Sequence, residues 1–95
     1  MQVSDRLAAY VRRTFADQEA NTLLDELSRF DGTTFDLQDP ERCALAVVLV
    51  VQQGVPPRNA FRLARTDWRD LLMAAELAHG NWPTRIAELL ADSPR

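Results

Sequence analysis

The stretch DPERCALAVVLVVQQG occupies residues 39–54 and decides how the chain folds. Its four valines taken alone suit a buried strand. The flanks argue for a helix. Asp39 can cap it, Pro40 fits the first helical position, and Glu41 places an acid in the electropositive first turn. Gln52-Gln53-Gly54 supplies the stop, and no other segment offers a partner strand. A helix that is apolar all round belongs at the centre of a bundle, wrapped by the others. The expected fold is therefore all-α, a compact bundle of five or six short helices around a central helix over about 40–53. Leu49 should be buried within it. Leu7, Val11, Leu24, Leu27, Phe61, Trp68, Leu71, Leu72 and Ile86 should surround it.

Upstream, Ser4 can cap a first helix in which Leu7, Val11 and Phe15 recur every four residues. The phase breaks at Ala16-Asp17. Asp17 can cap a second helix carrying Ala20, Leu23, Leu24, Leu27 and Phe30, which Asp31-Gly32 would end. Residues 31–39 read as a loop, with Phe35 and Leu37 tucked inward as anchors.

Downstream, Gly54-Val55-Pro56-Pro57 forms a rigid corner and Pro57 opens a helix running to Arg65. Phe61, Ala64, Trp68, Leu71, Ala75 and Ala78 keep a 3–4 spacing, as one unbroken helix would. Thr66-Asp67 nevertheless looks like a new cap, and Asp67 and Asp70 suit a first turn. This predicts a break at Thr66 and a separate helix over 67–78, ended by His79-Gly80-Asn81. Pro83 then opens a short last helix with Ile86, Leu89 and Leu90.

Ninety-five residues make one domain, 1–95, able to bury about 65% of its unfolded surface. Apolar residues at 46%, charged residues at 26% and a net charge of −3 describe a globular chain. The apolar run 44–51 is far short of the roughly twenty residues a membrane span needs. One cysteine and one histidine exclude a disulfide framework and most metal sites, so no metal, cofactor or small-molecule ligand is expected. All eleven basic residues are arginine, which suits a GC-rich bacterial coding sequence. The opening Met1-Gln2-Val3-Ser4-Asp5-Arg6 is charged at once, unlike a signal peptide, and a cytoplasmic location is the default expectation.

Charge is divided along the chain. Residues 1–57 hold five Arg against nine acids, and residues 58–95 hold six against five. Arg58, Arg62, Arg65 and Arg69 are spaced 4, 3 and 4, which on an unbroken helix is one face. None has an acid three or four positions away. Either Glu41, Asp36 or another acid from a neighbouring helix meets them, or they form a surface for an acidic partner. Trp68 lies among them, and Trp with Arg dominates binding hot spots. The expected function is a noncatalytic interaction or regulatory module binding a protein partner or a second copy through Arg58, Arg62, Arg65, Trp68 and Arg69. The alternative is a helix-turn-helix-like DNA-binding regulator with 57–65 as recognition helix. The acidic net charge makes nucleic acid an unfavoured partner, and two prolines and Gln53 fit that turn poorly.

An enzyme is the weakest reading. Asp36, Asp39 and Glu41 fail the calcium-loop pattern, and Asp39 and Glu41 read as helix-start residues. His79 reads as a helix C-terminal residue. Cys43 reads as a packed thiol, and no nucleophile–base pattern surrounds either.

Overall fold

The computed structural model describes residues 3–30 and 40–91. Among these it contains six helices and no strand: α1 (Asp5–Thr14), α2 (Asp17–Arg29), α3 (Pro40–Gln52), α4 (Pro57–Thr66), α5 (Trp68–Ala74) and α6 (Trp82–Leu90). The expected stop at Asp31-Gly32, the loop 31–39 with Phe35 and Leu37, and the acids Asp36 and Asp39 lie outside the described residues.

α3 is the central helix. Cys43 through Val48 and Val50 are all buried, and the helix packs against α1, α4 and α5. α2 and α6 pack on α1 from outside. Leu49 departs from expectation: it is only half-buried, while Leu45, Val47 and Val48 are fully buried. Leu49 lies on the side of the last turn of α3 that meets solvent, while the next residue, Val50, stays buried and Gln52 and Gln53 beyond it are exposed.

Ser4 caps α1 as its residue type predicts, its Oγ accepting the Leu7 N–H at 3.3 Å. Asp17 does not cap α2. Ala16 occupies the cap position without a side-chain bond, and Asp17 is the first helical residue. The extended link is only Phe15-Ala16, closed by the Phe15 N–H on the Val11 carbonyl, so the cap position falls one residue earlier than the residue types suggest.

Gly54 ends α3 at φ +110°, with the Gly54 N–H on the Val51 carbonyl and the Val55 N–H on the Val50 carbonyl. That paired pattern is a Schellman stop, which glycine adopts without strain. α4 and α5 are separate helices, as expected. The break falls at Asp67 (φ −150°, ψ 64°) rather than Thr66. The Thr66 hydroxyl donates back to the Arg62 carbonyl at 2.8 Å and so does not cap α5.

α5 is shorter than expected. It ends at Ala74 instead of running to residue 78, and Glu76 takes a left-handed φ of 60°. The Glu76 N–H meets the Met73 carbonyl and the Leu77 N–H meets the Leu72 carbonyl, repeating the same stop without a glycine. Burial explains it. At about 100° per residue, Leu77 would sit away from the face that buries Leu71, Leu72 and Ala75 if the helix continued. Breaking the helix brings Leu77 fully into the core and leaves the smaller Ala78 exposed. His79 is consequently not at a helix end but exposed in the turn before α6. α6 begins at Trp82, with Pro83 second.

Long side chains tie the helices together. Arg42 donates from Nε and Nη2 to the Leu77 carbonyl at 3.0 and 2.5 Å, and its guanidinium stacks over the Trp82 ring at 4.4 Å. Gln53 Nε2 donates to the Ala74 carbonyl at the end of α5. Arg13 Nη2 donates to the Leu89 and Ala91 carbonyls at the end of α6. Each satisfies carbonyls at or just beyond a helix end, where the helix itself supplies no partner.

Candidate functional site

α4 reads PRNAFRLART. Ala60, Phe61 and Ala64 are buried, which leaves Arg58, Arg62 and Arg65 exposed on the outer side of the same helix. Arg58, Phe61 and Arg65 follow 3–4 spacing and line one depression with Glu26, Arg29 and Phe30 of the α2 end, about 310 Å³ in volume. Its floor is aromatic: the Phe30 and Phe61 rings lie 5.3 Å apart at 39°, and the Arg65 guanidinium sits 5.1 Å above Phe30. Three guanidinium groups face one carboxylate there. Arg29 is engaged by Asp25 one turn back in its helix.

The predicted surface divides at Asp67. Arg58 and Arg65 share the depression, and Arg62 stands beside them on α4 without lining it. Trp68 and Arg69 belong to α5, where Arg69 stacks over the half-buried Trp68 ring at 5.2 Å. Among the described residues, no carboxylate lies within ion-pair distance of Arg58, Arg62, Arg65 or Arg69.

Glu41, one acid expected to face these arginines, is used elsewhere. Arg6 donates to it from Nε and Nη2 at 2.8 and 2.6 Å, and Ser4 Oγ donates to the same carboxylate at 2.6 Å. These bonds hold the Glu41 carboxyl below its ordinary range and raise the Arg6 guanidinium, against partial burial. Glu41 is thus more than a helix-start acid: it locks the first turn of α3 to that of α1. Sequence reasoning had no signal for this pair, whose members are 35 positions apart.

A second depression of about 560 Å³ lies next to the first and shares Glu26 with it. Phe15, Leu23, Val51, Val55 and Pro57 make it largely apolar, and Glu19 stands at it beside Glu26. Hydrophobic periodicity could not find it, because it forms where two helix–helix corners meet.

Trp82 lies under Arg42 and serves the fold. Cys43 is fully buried and His79 is exposed, and neither lines either depression. Among the described residues no group of three or more His, Cys, Asp or Glu side chains could hold a metal ion. No helix there is long and apolar enough to cross a membrane. No family model, curated protein or solved structure matches the chain.

Proposed function

We propose that the chain is a noncatalytic helical interaction module that binds an acidic protein surface through the arginine face of α4 and α5. The observation that carries this reading is the set Arg58, Arg62, Arg65 and Arg69, for which no described carboxylate lies within ion-pair distance. Arg58, Arg62 and Arg65, three and four residues apart on α4, repel one another by a few tenths of a kcal/mol per close pair, a cost an acidic partner would relieve. Arg58 and Arg65 line a depression with an aromatic floor, and a guanidinium–carboxylate pair set into it is less screened by water than one on a flat surface. Guanidinium groups also suit carboxylates geometrically, through paired donors. Arg62, Trp68 and Arg69 extend the face beyond the depression. A reducing, cytoplasmic setting suits the buried Cys43, which is in no disulfide.

The test is titration of the protein with a poly-glutamate peptide and, separately, with duplex DNA, at low and moderate salt. The reading expects saturable peptide binding that weakens with salt and is abolished in Arg58→Glu/Arg65→Glu while the helical spectrum is retained. Peptide binding that is absent, or unchanged by the reversal, overturns it. Duplex affinity exceeding peptide affinity at the same salt overturns it in favour of nucleic acid.

A further inference from the structure

The arginine ridge has a counterpart of opposite sign beside it. Glu19 and Glu26 are seven residues apart on α2, two helical turns, so they share a face about 10.5 Å apart along the axis. Arg58 and Arg65 on α4 have the same seven-residue spacing and the same two-turn separation. Among the described residues neither Glu19 nor Glu26 has an arginine within ion-pair distance. The two ridges are neighbours, because the arginine-lined depression and the apolar one share Glu26.

We propose that the partner is a second copy of this chain, paired so that the Glu19–Glu26 ridge of one protomer lies on the Arg58–Arg65 ridge of the other. This rests on the acidic-partner reading and names the partner. Glu26 and Arg58 share one depression, Glu19 lies toward Val55 and Pro57 on one side of them, and Arg65 lies over Phe30 on the other, so a two-fold axis crossing the patch at Glu26 and Arg58 turns the acidic end of each protomer toward the basic end of the other. The apolar depression supplies the part of the interface that charge alone lacks: Phe15, Val51, Val55 and Pro57 keep exposed surface that a second protomer would cover.

Sedimentation equilibrium up to about 1 mM protomer tests the pairing. The wild-type chain is expected to dimerise, more weakly as salt rises. Arg58→Glu/Arg65→Glu and Glu19→Arg/Glu26→Arg should each raise the dissociation constant roughly thirtyfold or more. An equimolar mixture of the two should regain a dimer, because each variant then meets charges opposite to its own reversed ridge. Glu19→Arg alone, at an exposed position in the first turn of α2, should weaken the dimer while the helical spectrum is retained. A monomeric wild type, a mass unaffected by reversal, or a mixture that stays monomeric overturns the proposal. If the wild type is monomeric yet binds poly-glutamate, self-pairing fails and the acidic-partner reading stands; if it binds neither, both fail.

Discussion

Leu45→Ala and Leu49→Ala make a paired test of where the core runs through α3. The two leucines are four residues apart on one helix, so they are equal in chemistry and in helix propensity. They differ in environment. Leu45 is fully buried and Leu49 only half-buried on the helix that packs against α1, α4 and α5. Truncating a fully enclosed leucine removes its transfer free energy and leaves a cavity, about 3 kcal/mol within a usual span of 2–5. At Leu49 the side chain already meets solvent and the gap can fill with water, so about half that cost is expected. A domain of this size has roughly 5–14 kcal/mol in total. Leu45→Ala should therefore lower the melting temperature by about 15 °C, and Leu49→Ala by about half as much. Urea unfolding followed by tryptophan fluorescence gives both values on one scale, with Trp68 and Trp82 half-buried as reporters. Equal costs, or a larger cost at Leu49, would refute the difference in burial between the two positions.

Three further outcomes follow from particular side chains. Glu76→Gly should raise stability by about 1 kcal/mol, because glycine holds the left-handed φ of 60° without strain, while the ion pair that Glu76 makes with Arg85 is long, at 3.9 Å, and exposed; thermal unfolding that shows destabilisation would contradict the account of how α5 stops. Arg42→Ala should cost about 2 kcal/mol by removing both bonds to the Leu77 carbonyl and the stack on Trp82. Arg42→Lys should recover less than half of that in the same urea assay, since an ammonium keeps the charge but not the planar fork. The Glu41 carboxyl is held below its ordinary value of 4.5, so its pairing stabilises the fold above that pH. The contribution disappears as pH falls through 4.5 and below, and Glu41→Gln should flatten that part of the stability–pH curve while costing about 1 kcal/mol at neutral pH, a modest figure because Arg6 is half exposed.

Much of the fold could be read from local pattern. ALAVVLVV has no polar side to turn outward, which is why its central placement was legible. Ser4 was legible as a cap because capping involves residues only three apart. The break between α4 and α5 was legible from Thr66-Asp67 despite the unbroken 3–4 apolar spacing. The end of α5 was not. Ala75 and Ala78 kept the helical phase, and only the tertiary demand to bury Leu77 overrides it, on a glutamate that gives no stop signal. Long-range pairs were equally hidden. Nothing near Arg6 or Arg42 points to Glu41 or the Leu77 carbonyl, 35 positions away in each case.

The arginine spacing at 58, 62, 65 and 69 stood out in the sequence through the absence of acids at three- and four-residue offsets. Its division at Asp67, the aromatic floor and the flanking Glu19–Glu26 ridge depend on how α2 and α4 lie together. The most direct measurement of the central claim is a proton–nitrogen spectrum of the arginine Nε–H groups recorded during titration with poly-glutamate. The Arg58 and Arg65 signals should shift together and saturate, while those of Arg42 and Arg6, already bound within the fold, stay in place. Uniform small shifts across all arginines, or none at Arg58 and Arg65, would contradict it.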